Sequence, residues 1–234
     1  MDWATPEQPA LAAAGLALEQ RGLALVLRLA RPAVRNALND AMIGAVELPL
    51  TTLPAGTCAV VVHEEGSHFC AGLDLNDVAD TDATWGLAHS QRWHRAFARI
   101  EDGPVPVVSA LHGAVIGGGL ELAIACHIQV ADGTAYYALP EGQRGIFVGG
   151  GAAVRLPRLI GLARIQDIML TGRTYGAAEG AAVGFSQYLV GPGCRRRCGR
   201  RPYTWCGRGW RRLPTSTPPS PTGRGCAGRC WGRS

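Results

Sequence analysis

The 234-residue sequence contains no lysine, so arginine supplies all 23 of its basic side chains. The acidic side chains are unevenly placed as well, because residues 194–234 contain none of the 18. Residues 1–193 hold 12 arginines and every acid, a net charge of −6, whereas residues 194–234 hold 11 arginines, a net charge of +11. The formal charge of +5 therefore combines an acidic body with a basic tail. It does not predict a nucleic-acid-binding surface over the whole protein.

Long apolar runs are also missing, since the longest one, from Val105, is interrupted by a proline, a histidine and a glutamate. No membrane partner is therefore expected. There is no basic start followed by an apolar stretch, so no secretory signal is expected either. The cysteines of the body, Cys58, Cys70 and Cys126, are scattered and odd in number, which is typical of a reducing compartment. We therefore expect a cytoplasmic protein.

The most informative stretch spans residues 104–125. Residues 105–111 are apolar and rich in β-branched side chains, which predicts a buried strand, and a buried helix is predicted to begin near Gly118 after a glycine-rich turn. The free N–H groups of a helix start favour negative charge. Glu121 is a lone acid in this apolar helix, so it is either paired or functional. Locally, a packing turn and an oxyanion hole both remain open, whereas the spacing does not match a nucleotide-binding loop.

Strand, glycine turn and helix alternate along the body, which predicts an α/β fold. The predicted strands are a hairpin at 16–29 and single strands at 58–63, 127–130, 135–139 and 184–190. The predicted helices cover residues 36–47, 85–100, 152–160, 163–170 and 177–183. Asn36 or Asn39 is expected to cap the first of these helices.

Four segments then occur in one order: RPAVRNALN at 31–39, HFCAGLDL at 68–75, HGAVIGGGLELA at 112–123 and LPEGQRGIFVGGGAAVRL at 139–156. Together they resemble the enoyl-CoA hydratase/isomerase family, the crotonase superfamily. The resemblance implies a crotonase-like right-handed spiral of ββα turns that assembles as a homotrimer or a hexamer. It implies no metal and no separate cofactor, because coenzyme A arrives as part of the thioester substrate.

The resemblance also implies roles for individual residues. The N–H groups of Leu73 and Gly118 would form the oxyanion hole for an acyl-CoA carbonyl. Glu121 would position and activate a water molecule, and Glu141 would deliver a proton to the substrate Cα. The positions carried over as coenzyme A contacts are Arg35, Ala37, Ala71, Gly72, Leu73 and Asp74.

These roles predict an enoyl-CoA hydratase. An isomerase of the same family is the first alternative, and a non-catalytic CoA-thioester binder or an inactive truncated product is the second. A nucleic-acid-binding module is a more distant alternative. His112 is expected to make structural hydrogen bonds, and His89 and His94 have the wrong spacing for a metal site on one helix face. Cys70 has no identifiable histidine partner and is expected to pack.

The resemblance stops near Gly193, which divides the chain into an acyl-CoA-binding catalytic core at 1–193 and a disordered tail at 194–234. The tail contains no valine, isoleucine, phenylalanine or methionine, so it is not expected to form the C-terminal helices usual in the family. A basic arm, a zinc site built from its five cysteines and a frameshift in a GC-rich gene are the three explanations. The frameshift is favoured because the family-like sequence ends abruptly.

Overall fold

The two apolar runs near the amino terminus open a six-stranded sheet in a computed structural model, which describes residues 8–78, 82–191, 203–206 and 209–212. Strands β1 (Leu16–Arg21) and β2 (Ala24–Leu29) form the predicted antiparallel hairpin. The sheet continues with parallel strands in the order β2-β3-β4-β6-β9. These four further strands are β3 (Ala59–Glu64), β4 (Val107–Leu111), β6 (Ile128–Asp132) and β9 (Tyr188–Val190).

A second sheet of three strands lies in the order β5-β7-β8. Its strands are β5 (Ala114–Ile116), β7 (Tyr136–Ala138) and β8 (Tyr175–Gly176). Strands β5 and β7 are parallel, whereas β7 and β8 are antiparallel. Along the chain β4 is followed by β5, and β6 by β7, so each turn adds one strand to each sheet. This alternation confirms the α/β class predicted from the sequence.

The described residues form eight helices, and all but the first and third lie close to positions predicted from the sequence. They are α1 (Gln8–Ala13), α2 (Asp40–Val46), α3 (Leu48–Thr51), α4 (Ala83–Glu101), α5 (Gly118–Ala125), α6 (Ala152–Ile160), α7 (Leu162–Thr171) and α8 (Ala177–Val183). Short 3₁₀ turns cover Pro32–Val34, Leu75–Val78 and Gly142–Arg144.

Helix α2 begins four residues later than predicted. Arg35 and Asn36 have positive φ angles, 53° and 56°, and therefore cannot continue a right-handed helix. Asn39 is the cap, because its side-chain oxygen accepts a hydrogen bond of 2.9 Å from the Met42 N–H. Asn36 is buried instead, and its side-chain amide donates to the carbonyl groups of Glu65 and His68.

Helix α5 lies in the centre of the core, and all eight of its residues are buried. One face of α4 is apolar at helical spacing and is buried, through Trp93, Ala96, Phe97 and Ile100. The hydrophobic effect therefore fixes α5 on all sides and places the first turn of this helix against neighbouring loops.

Beyond β9, the described residues contain two short antiparallel strands, β10 (Tyr203–Cys206) and β11 (Gly209–Arg212). The rest of residues 194–234, for which disorder is predicted, lies outside the described residues together with four of the five tail cysteines. No helix follows α8 in the described ranges, in agreement with the expected lack of C-terminal helices. None of the helices within these ranges has the length and apolar character needed to cross a membrane.

Candidate active site

Two glycine-containing turns meet at the start of α5 and bring together the two predicted oxyanion-hole amides. A Cβ atom placed on Gly118 would lie 3.6 Å from the amide nitrogen of Leu73. A Cβ atom placed on Gly72 would lie 3.6 Å from the amide nitrogen of Gly118 and 3.0 Å from the carbonyl oxygen of Ile116. With its φ of 98° and this close approach, Gly72 cannot carry a side chain without strain. The two amides thus lie at one small site.

Backbone pairing joins the two segments that were predicted to contact coenzyme A. The Leu38 N–H donates to the carbonyl of Gly72, the Asp74 N–H donates to the carbonyl of Leu38, and both distances are 2.8 Å. The Ala71 N–H donates to the carbonyl of Arg35 at 3.0 Å. This pairing uses the N–H groups of residues 71 and 74 and leaves the Leu73 N–H outside the ladder.

Arg31 holds the same pair of segments together through its side chain. Its guanidinium donates to the carbonyl of Ala37 at 2.5 Å and forms an ion pair with Asp74 at 3.0 Å. Burial alone would raise the pKa of Asp74, but the hydrogen bonds from Arg31 and Asn76 outweigh it and hold that pKa below its usual value. Arg35 is exposed, and within the described residues its side chain has no ion-pair partner. It is therefore free to meet an anionic group.

Glu121 lies in the first turn of α5 and is 2% exposed. Its Oε1 accepts hydrogen bonds of 2.9 Å from the N–H groups of Gly150 and Ala152, at the start of α6. Burial raises the pKa of Glu121, and the N–H groups of Ala152 and Gly150 oppose that rise by stabilising the carboxylate. Both helix starts favour negative charge at this position. The hydrogen bonds therefore orient the carboxyl group, while burial keeps its pKa above the ordinary value.

Glu141 reaches the site from the loop between β7 and α6. A Cβ atom on Gly117 would lie only 2.6 Å from Oε1 of Glu141, so this carboxyl group packs directly against the residue before Gly118. Glu141 is 6% exposed, and its Oε2 has no hydrogen-bond partner in the described part of the chain. Burial, together with the charge of nearby Glu121, raises the pKa of Glu141 to about 7. The structure thus places Glu141 beside the turn that carries the Gly118 amide, and near enough to Glu121 for the two charges to interact.

Histidines and cysteines near the site have structural contacts. His112 is buried, with Nδ1 2.6 Å from Oε1 of Glu64 and Nε2 3.2 Å from the carbonyl oxygen of Gly66, as expected of a structural hydrogen-bonding residue. Burial raises the pKa of the Cys70 thiol to about 12, which disfavours the thiolate needed for nucleophilic attack. His89 pairs with Asp40 at 2.7 Å.

Sequence reasoning missed the groups that hold Glu121. The sequence predicts no role for the glycines before α6, yet the N–H groups of Gly150 and Ala152 bind this carboxylate. Arg155, in turn, donates to the carbonyl of Gly150 at 2.9 Å and pairs with Glu101 at 2.8 Å. The available signal was a run of glycines opening a helix, which exposes N–H groups to an anion. No sequence signal linked that run to Glu121, 29 residues earlier.

Comparison with known proteins gives a consistent result. Residues 19–191 match the family model described as enoyl-CoA hydratase/isomerase. The enoyl-CoA isomerase/hydratase claC of Penicillium crustosum is 34% identical over 178 residues, which are 74% of this chain and 20% of that protein. Across the curated relatives compared, the chain spans 19% to 65% of their length.

Solved structures agree with the sequence comparison. A Rhodopseudomonas palustris protein provisionally described as an enoyl-CoA hydratase is 57% identical, with a TM-score of 0.76 over 82% of this chain and 72% of that one. A Thermobifida fusca protein with the same provisional description, solved in complex with acetoacetyl-CoA, is 27% identical, with a TM-score of 0.76 over 84% and 82% of the two chains. The spiral fold expected from the resemblance is thereby confirmed.

Proposed function

This chain belongs to the enoyl-CoA hydratase/isomerase family, and from that premise we propose that it adds water across the α,β-double bond of an enoyl-CoA thioester. The observation that supports the proposal is that the Leu73 and Gly118 amides and the buried carboxyl group of Glu141 meet at the start of α5, the helix that carries buried Glu121. An isomerase needs one group to move a proton, whereas hydration must both activate water and protonate carbon. Two carboxyl groups match hydration.

The amides act on the thioester oxygen. When hydroxide attacks Cβ, the electrons of the double bond move toward the carbonyl and charge develops on its oxygen. The N–H groups of Leu73 and Gly118 would stabilise that charge because they are fixed before the reaction starts. Loss of one such donor lowers the rate by about 10²–10³ in other enzymes.

The two glutamates divide the proton transfers. Glu121, held by the Gly150 and Ala152 amides, is suited to accept a proton from the attacking water. Glu141, with its pKa raised to about 7 by burial and by Glu121, is suited to start protonated and to donate to Cα. Neither step requires a metal or a redox cofactor.

The coenzyme A part of the substrate would lie along the paired segments at Arg35–Leu38 and Ala71–Asp74. Backbone groups of Ala37, Ala71 and Gly72 border this path, and the exposed guanidinium of Arg35 is suited to a phosphate. Asp74 would act through its ion pair with Arg31, which keeps the segments in place. The acetoacetyl-CoA bound in the Thermobifida fusca structure supports a thioester ligand of this kind.

Assembly and location complete the proposal. Apolar side chains on α7 are exposed, with Leu162 at 62% and Leu170 at 81%, which supports burial in a homotrimer or hexamer. The free cysteines at 58, 70 and 126 support a cytoplasmic location. Light scattering coupled to size exclusion measures the oligomeric state, and a monomer at micromolar concentration would contradict this part of the proposal.

The direct test is hydration of crotonyl-CoA by the wild-type chain and by Glu121→Gln and Glu141→Gln. Each change keeps the size of the side chain and removes its proton chemistry, so we expect kcat to fall by about 10³-fold or more. Glu47→Gln, an acid outside the site, is the matched control and should keep the wild-type rate. Near-normal hydration by either site variant would falsify the assignment. Thioester binding without turnover by the wild type would favour the non-catalytic alternative, and movement of a β,γ-double bond without hydration would favour an isomerase.

A further inference from the structure

An aromatic side chain of α4 forms a wall beside the proposed oxyanion hole. A Cβ atom placed on Gly118 would lie 2.5 Å from Cζ3 and 2.7 Å from Cη2 of Trp93. The edge of the indole ring therefore packs directly on the backbone of Gly118. One turn further along α4, Phe97 packs on Gly150 in the same way, since a Cβ atom there would lie 2.6 Å from its Cε2. One face of α4 thus packs against the glycine turns that precede α5 and α6.

The indole edge lies close to the Leu73 and Gly118 amides, which would bind the reacting carbonyl. The same Cβ position on Gly118 that contacts Trp93 is 3.6 Å from the amide nitrogen of Leu73. A carbonyl oxygen bound by both amides sits about 2.7–3.1 Å from each nitrogen. The adjacent Cα and Cβ of the acyl group would consequently lie next to the benzene edge of Trp93.

Contacts on both sides hold Trp93 in this position. The residue is 2% exposed, and its ring lies 5.3 Å from the ring of His89 and 5.6 Å from that of Phe97, measured between centroids. His89 is itself fixed by Asp40, with Nδ1 and Oδ1 2.7 Å apart. The Ser90 hydroxyl donates to the carbonyl of Gly149 at 3.0 Å, which connects α4 to the glycine turn that precedes α6. Because a close-packed interior yields little to small forces, the wall is rigid.

We propose that Trp93 is a specificity-determining residue that restricts the acyl group to short chains such as crotonyl. The inference rests on the proposed function, because it takes the Leu73 and Gly118 amides as the carbonyl site. A longer chain leaving Cβ would have to pass the indole edge, and a rigid apolar pocket discriminates about 10–200-fold for each methylene that does not fit. Phe97, behind Trp93, blocks the same direction beside Glu121.

A purely structural role is the competing explanation, and the indole N–H allows the two to be separated. In the described part of the chain the Nε1–H of Trp93 has no hydrogen-bond acceptor. Replacement by leucine or phenylalanine therefore loses packing volume without breaking an observed hydrogen bond. A structural residue would lose stability and activity equally for all substrates, whereas a wall would change the ratio between substrates.

The test compares kcat/KM for crotonyl-, hexenoyl-, octenoyl- and decenoyl-CoA in the wild type, Trp93→Leu and Trp93→Phe. We expect Trp93→Leu to raise the octenoyl-to-crotonyl ratio by about 10–100-fold, mainly through KM. Trp93→Phe, which is safer for folding, should show a smaller shift in the same direction. Trp85→Leu is the matched control, because Trp85 stacks on the far side of His89 with centroids 4.6 Å apart and should leave the ratio unchanged.

Calorimetric titration with butyryl- and octanoyl-CoA keeps the proposal testable if turnover is absent. If the wild type binds butyryl-CoA without hydrating crotonyl-CoA, the catalytic proposal fails, and the selectivity is then measured as the ratio of the two binding constants. An unchanged ratio in a folded Trp93→Leu variant overturns the proposal for Trp93 alone. If no thioester binds to any of the folded proteins, the proposal of an acyl-CoA site and the proposal for Trp93 are both overturned.

Discussion

The two sides of the candidate site are built differently, although each supplies one carboxyl group. On one side, Glu121 belongs to a helix whose eight residues are all buried, and two backbone amides hold its Oε1. On the other side, Glu141 precedes a loop in which residues 142–147 are all exposed. The core thus fixes one acid, and a surface loop carries the other.

The two acids differ in the hydrogen bonds that they accept, although burial raises the pKa of both. Glu121 receives hydrogen bonds that stabilise its charge, which opposes the effect of its burial. One oxygen of Glu141 has no hydrogen-bond partner in the part of the chain described, and its pKa rises to about 7. Hydrogen bonding to the carboxyl group therefore distinguishes the two sides of the site.

Of the variants that would disturb one side of the site, Gly117→Ala is expected to have the largest effect on the rate. The new methyl group would overlap Oε1 of Glu141, since a Cβ atom there lies 2.6 Å from it, and would displace the carboxyl group. A misplacement of about 1 Å costs about 10²-fold in rate, so we expect kcat for crotonyl-CoA to fall by at least that factor. Gly145→Ala is the control: its φ is also positive, at 67°, but a Cβ there has no neighbour within 4 Å. Equal rates for the two variants would show that the loop can move Glu141 aside without loss.

The second prediction concerns pH. If Glu141 starts protonated, kcat/KM for hydration should fall about tenfold per unit of pH above about 7.

The free energy of unfolding should also change with pH as Glu141 titrates. Because the folded pKa is raised above the ordinary value of 4.5, Glu141 contributes most below pH 4.5 and loses this contribution as the pH rises to about 7, by about 3 kcal/mol at most. Denaturant titrations of wild type and Glu141→Gln across this window measure it. A wild-type profile identical to that of the Gln variant would contradict the raised pKa.

The smallest effect is expected from Arg155→Ala, which sharpens the comparison on the Glu121 side. Arg155 braces the carbonyl of Gly150 and lowers the pKa of Glu121 through its charge. Without it, the pKa of Glu121 should rise further, so the acidic limb of the pH–rate profile should move to higher pH while the maximal rate falls about tenfold or less. Arg158→Ala removes an exposed arginine from the same helix and should leave the limb in place. If the acidic limb of the pH–rate profile lies at the same pH in both variants as in the wild type, Arg155 only supports the fold.

Much of the fold could be predicted because each signal was local. The hairpin, the strand at Ala59–Glu64, the helices α6 and α8 and the start of α5 followed from apolar periodicity and glycine placement. The start of α2 was wrong by four residues, because positive φ angles at Arg35 and Asn36 depend on the contacts of the buried Asn36 side chain with residues 65 and 68. Such contacts between distant segments leave no periodic pattern.

The sequence by itself determined the family and the α/β alternation, and it predicted the residues of the candidate site. Only the tertiary structure decided that the Gly150 and Ala152 amides hold Glu121, that Glu141 packs on Gly117 and that Trp93 lies against Gly118. The physical reason is the separation along the chain over which each kind of interaction acts. Helix, strand and turn preferences act between residues close in the chain, whereas the hydrogen bonds and packing contacts that set a carboxyl group's pKa or limit a pocket join segments 24 or more residues apart. Those contacts exist only once the two sheets and α5 have packed together.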